Sequence, residues 1–194
     1  GLAGAGWPQE PGYRFPACRE HIGVADRERW VDVLGSKGGM QAYQKLKARF
    51  PDWVEERKTD GRLEVRLRRF DEVAERFNQP GEFLLIQGEE ISDSFEKHPI
   101  HLNAGNVREL IAPRGGGSVR ETIQNNVDAV LAQRAATGQP MVVHLNHPNF
   151  RYAVTAEDMM SIVGERFFEV YNGHPGVHNH GDDHHAGTER IWDI

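Results

Sequence analysis

A chain of 194 residues is long enough to bury a sizeable core and fits a single domain. Its 23 basic and 29 acidic side chains leave a net charge of −6, so nucleic acid is unsupported as a partner, because gripping a phosphate backbone needs clustered positive charge. A hydrophobic fraction of 38% beside 27% charged residues excludes a disordered chain, and apolar runs such as Phe83 to Ile86 are too short for a membrane span.

Residues Gly1 to Gly12 carry Gly, Pro and Ala without a helical or strand period, start without Met and lack the basic-then-apolar pattern of a signal peptide. Thr188 opens a helix that stops within two turns, so both ends read as cut inside a fold, and localisation is unknown. Cys18 stands alone and can form no internal disulfide.

Tyr13 to Cys18 is predicted as a strand with His21 at its exit. Apolar residues at helical spacing predict helices over Asp26 to Leu34 and Met40 to Phe50, around Gly38-Gly39. Leu63, Val65 and Leu67 alternate with charged residues after Asp60-Gly61, which predicts a hairpin with Val54 to Lys58 and a solvated arginine face. Phe70 to Phe77 follows as a short helix. The stretch Asp26 to Phe77 thus reads as an insertion of helices plus one hairpin.

Phe83 to Gln87 is strongly apolar and predicts a strand buried on both faces; Pro99 to Asn103 predicts another. Arg114 to Gly117 reads as a connector loop. Ser118 with Glu121 three residues on is a capping box for a helix to about Thr137, with Gly138 as its cap and Pro140 as its stop. Met141 to Leu145 is a strand, Thr155 caps a helix through Gly164, and Phe167 to Tyr171 is a strand. This alternation predicts a parallel α/β arrangement with crossovers.

Ten histidines are the unusual count. Glu20-His21, Glu89-Glu90, His101, His144 to His147 and Glu169 to His174 all fall at predicted strand ends, where α/β folds keep their chemistry. The mixture of imidazole and carboxylate donors suits a centre of Zn²⁺, Mn²⁺ or Fe²⁺. One of Glu89 and Glu90 is expected in an exposed turn. His174 to His185 holds five histidines and reads as a surface loop, with His174 nearest a strand end.

Four motifs in order, GEEIS (Gly88 to Ser92), IHLNAGN (Ile100 to Asn106), VVHLNHPNF (Val142 to Phe150) and FFEVYNGHPG (Phe167 to Gly176), resemble the PHP superfamily of polymerase- and histidinol-phosphatase-type metallophosphoesterases. The resemblance runs from about Gly12 to the end of the chain and implies a distorted TIM-like α/β barrel, incomplete here and carrying the 26–77 insertion. It also implies a centre of two or three divalent cations hydrolysing a small-molecule phosphate ester through a metal-bound hydroxide. Residue by residue, it assigns His21, Glu90, His101 and His147 as metal ligands, with Glu90 bridging and Glu90 and His147 catalytic. Glu20, His144, Asn146, Asn149 and His174 would surround them.

Glu20 stands where the pattern usually has Asp, the opening His-x-His motif would precede residue 1, and the closing Asp-x-His motif would follow residue 194. Such a partial ligand set predicts weak metal binding without turnover from this chain alone. The alternatives are a degenerate metal-binding or interaction module without catalysis and, ranked lower, an amidohydrolase-type enzyme, which would want a lysine at a strand end.

Overall fold

The computed structural model describes residues 29–36 and 38–194, so the predicted strand 13–18, Cys18, Glu20 and His21 lie outside the described residues. The chain divides into two compact units between Arg76 and Phe77.

The first unit contains β1 (Arg29–Asp32), α1 (Gly39–Arg49), a 3-10 turn (Pro51–Trp53), β2 (Glu56–Thr59), β3 (Arg62–Leu67) and α2 (Phe70–Phe77), whose last residue opens the second unit. The hairpin forms as its Asp60-Gly61 signal predicts, with Thr59 opposite Arg62 and both turn residues at positive φ. The segment expected as a helix over 26–34 instead supplies β1, which pairs antiparallel with β3 and makes β3 the central strand of a three-stranded sheet. Trp30 and Val31 suit a pleated surface, and pairing along β3 satisfies their backbone where a two-turn helix could not.

The arginines of this hairpin are not simply a solvated face. Arg66, with only 11% of its side chain exposed, donates to Glu55 at 2.6 Å and to Glu72 at 2.6 Å, while Arg68 donates to Glu72 at 3.0 Å and to the Trp53 carbonyl at 2.6 Å. These charge-assisted bonds clasp α2 to β3.

The second unit contains β4 (Gly88–Phe95), β5 (His98–Gly105), α3 (Val119–Thr137), β6 (Val142–Leu145), α4 (Ala156–Met159) and α5 (Thr188–Trp192). Its strands lie in the order β4-β5-β6, antiparallel throughout. The expected incomplete TIM-like barrel is therefore corrected: the described residues form two small antiparallel sheets with five helices and no closed barrel. The cause is local. Only Glu96-Lys97 separates β4 from β5, and a link that short reverses the chain, whereas a parallel neighbour needs a crossover of about a dozen residues or more. Among the described residues parallel pairing survives at one bridge, Leu145 with Phe168, inside the segment expected as the last strand. Phe83 to Gln87 is not a buried strand, since Leu84 and Ile86 are exposed and Asn78 caps the Leu85 amide instead.

Helix α3 follows its sequence signals closely. Ser118 accepts from the Glu121 amide at 3.0 Å, and Gly138 closes the helix at φ 66, a left-handed position that glycine adopts without strain. Its buried face, Ile123, Val127 and Val130, belongs to the same core as Ile91, Ile100, Leu102, Val143 and Leu145 of the sheet. No helix among the described residues is long and apolar enough to cross a membrane.

Arg66, together with the Arg69 amide and Arg68, holds the Glu72 carboxyl down to about 2 from its ordinary 4.5. A depressed carboxyl contributes stability that is full above its ordinary value and lost as pH falls through the folded one. Glu72→Gln should therefore lower the melting temperature by a few degrees at pH 7, with the gap to wild type closing between about pH 4.5 and about pH 2. Thermal unfolding followed by circular dichroism across that range checks it.

Candidate metal centre

Strand alternation decides which side chains the second unit can bring together. Ile91 stands opposite Leu102, and Leu102 opposite Leu145, all three buried on the core face. The intervening positions must then face the other way: Glu90 opposite Asn103, Asn103 opposite His144, and Ser92 opposite His101. The Asn146 amide donates to the His101 carbonyl at 2.8 Å, which carries the pairing one step past β6. A polar face results, with an aliphatic core behind it.

Both Glu89 and Glu90 lie in β4, so neither occupies the exposed turn expected for one of them. Glu89 points to the core, 8% exposed, and accepts the Ile111 amide at 2.8 Å; burial pushes its carboxyl up. Glu90 is the member of the pair on the polar face.

Beyond β6 the chain leaves the strand before Pro148, and His147 sits at φ 24, outside the region its side chain prefers. Two bonds hold it there: Glu169 Oε2 accepts both its backbone N–H and its ring Nδ1, each at 2.9 Å. The opposite ring nitrogen, Nε2, lies 2.8 Å from Nδ1 of His101, and that atom is 3.9 Å from Oε1 of Glu90. One donor atom from each of Glu90, His101 and His147 falls within 4.8 Å of the other two, so this cluster can hold a metal ion. Phe150 packs its ring 6.1 Å from His101 and 5.6 Å from His147, walling the imidazoles.

The donor set fits a divalent cation. Two imidazoles and one carboxylate make a three-ligand arrangement that leaves coordination positions open, as catalytic sites do and closed structural sites do not. Burial lowers the His101 pKa, against the pull of Glu90 and with the help of His147, which favours the neutral ring that a ligand needs. Asn146 donates to Glu90 Oε1 at 2.7 Å, while its Oδ1 is buried without a protein partner. A carbonyl oxygen left this way beside the carboxylate is a site property that a bound group would relieve.

The other predicted residues fall elsewhere. His144 shares the polar face but meets Asn103 at 3.3 Å and stays outside the cluster. Asn149 is buried and donates to the His178 and Ala186 carbonyls, both at 2.9 Å, so it braces the histidine-rich segment. His174 turns its Nδ1 to the Gly176 amide at 3.0 Å. That segment is built rather than loose: Tyr152 stacks between His178 and His185, with centroids 4.7 and 3.9 Å away. It forms no three-donor metal cluster among the described residues. Glu169, named in the sequence only as part of a polar strand end, is the partner that reasoning left without a role.

Comparison of the chain with protein-family models, with curated proteins and with solved structures finds no match.

Titration with Zn²⁺ or Co²⁺ by calorimetry checks the cluster. Glu90→Gln and His147→Ala should each weaken binding by at least about tenfold, the scale already set by losing a supporting partner alone. Glu89→Gln and His144→Ala should bind as wild type does, because one faces the core and the other lies outside the cluster.

Proposed function

We propose that this chain is a metal-dependent hydrolase whose cation is held by Glu90, His101 and His147, and that its substrate is a small phosphate ester. The convergence of those three donors, with Glu169 behind His147, is the observation that carries the reading. Zn²⁺, Mn²⁺ and Fe²⁺ all accept this nitrogen and oxygen set. A bound divalent cation supplies Lewis acidity, lowering the pKa of water and neutralising charge on phosphoryl oxygens.

The residues do the rest. One carboxylate against two neutral imidazoles leaves a dication with net positive charge, which favours an anionic phosphate over a neutral amide. Glu90 is the group suited to bridge a second cation, since a carboxylate has two donor oxygens. Asn146 orients Glu90 Oε1 through its amide.

The test is cation-dependent hydrolysis of p-nitrophenyl phosphate and of its bis-ester by the 194-residue chain. The partial ligand set in the sequence predicts no turnover from this chain alone; with three donors converging in it, we instead expect hydrolysis that chelation removes, metal restores and Glu90→Gln abolishes. Hydrolysis surviving Glu90→Gln would overturn the assignment. Stoichiometric metal binding without turnover would select the second reading, a metal-binding module without catalysis.

A further inference from the structure

Resting on the metal reading above, we infer that Glu169 is a positioning residue for His147: it fixes the ring as the Nδ1–H tautomer and aims the Nε2 lone pair at the cation, while Asn172 and Asn179 hold its carboxylate in place.

Both oxygens of Glu169 already accept, Oε2 from the His147 backbone N–H and Oε1 from Asn172 Nδ2, so Nδ1 of His147, 2.9 Å from Oε2, is the donor of that contact and carries the proton. Nε2 is then the lone-pair nitrogen, and it faces Nδ1 of His101 at 2.8 Å. The same oxygen holds the His147 amide at 2.9 Å, so backbone and ring are pinned to one point at a residue with φ 24. With two N–H groups on Oε2, Glu169 is occupied as a support rather than as a member of the donor cluster.

The other oxygen is equally specified. Glu169 Oε1 accepts from Asn172 Nδ2 at 2.9 Å, and Asn172 has no freedom to flip, because its Oδ1 already accepts the His174 amide at 2.8 Å. Asn172 is clamped in turn by reciprocal bonds with Asn179: its amide donates to Asn179 Oδ1 at 2.9 Å, and Asn179 Nδ2 donates to its carbonyl at 2.8 Å. Thr188 closes the frame by donating from its amide to the Asn179 carbonyl at 2.9 Å. The histidine-rich segment therefore has a use that needs none of its histidines: it is the frame that sets the carboxylate behind the metal ligand.

Long-range proton–nitrogen NMR of the histidine rings in cation-free protein reads the tautomer directly, and calorimetry with Zn²⁺ reads affinity. Wild type should show Nδ1–H at His147. Glu169→Ala should lose that signal and bind Zn²⁺ about 10- to 100-fold more weakly. Glu169→Gln, which can keep an acceptor at the Oε2 position but turns a donor against Asn172, should fall between the two. Asn172→Ala should keep the tautomer and weaken binding by a smaller factor; these two milder variants carry the test if Glu169→Ala does not fold. Unchanged tautomer and affinity across the variants would overturn the role given to Glu169. Wild type that shows Nδ1–H yet binds no cation would overturn the metal reading itself, so the two failures are distinct.

Discussion

The alignment of Ile91, Leu102 and Leu145 across three antiparallel strands is the constraint on which the second unit depends. Burying side chains of this size is worth about 1.5–3 kcal/mol each, and the core-facing set is nearly solvent-free. Side chains alternate with a period of two, so a one-residue slip would send these residues to the polar face and bring Glu90 and His101 into the core. The hydrophobic face thus sets the register, and the register gathers Glu90, His101, Asn103 and His144 on one polar face. The candidate centre is a by-product of good packing on its reverse side.

The third donor comes from a different device. β6 ends at Leu145, and the chain beyond it is tied by a parallel bridge, with the Leu145 amide on the Phe167 carbonyl at 3.1 Å and the Glu169 amide on the Leu145 carbonyl at 2.9 Å. These backbone bonds bring Glu169 beside residue 147, two positions past the strand end. A positive φ at a histidine costs energy, and the two bonds to Glu169 Oε2 offset it at the point where the ring must be aimed. Strain, support and donor direction share one residue.

Charge is handled oppositely in the two units. In the first, Arg66 and Glu72 sit in a network whose partners are all present, so its effect is on stability. In the second, Asn146 Oδ1 is buried without a partner beside the Glu90 carboxylate, and His101 Nδ1 meets His147 Nε2 at 2.8 Å in one hydrogen-bonded pair. An unfilled set of donors is the physical signature of a binding site, and a completed one is the signature of a brace.

What the sequence determined by itself was what short-range chemistry encodes. The Ser118 cap and Gly138 terminus of α3, the Asp60-Gly61 hairpin and the strand exit before Pro148 are each specified by residues within four positions of one another, and they were legible for that reason. The donor types were legible too, since Glu90, His101 and His147 are recognisable as ligands wherever they stand. Strand direction was not: Glu96-Lys97 carries none of the Gly or Asn that marks a tight hairpin, and the residues of β4 read as the end of a strand over 83–87, so the β4–β5 pairing was hidden and nothing local opposed the barrel implied by the resemblance. Nor could β1 be read, because Trp30 and Val31 become a strand only when β3 is there to pair with. The tertiary structure alone decided that Glu89 goes inward and Glu90 outward, that Arg66 is clasped rather than solvated, and that Glu169 supports His147 across 22 positions. Each of these is settled by a partner distant in the chain, and a sequence names the partners without stating which of them meet.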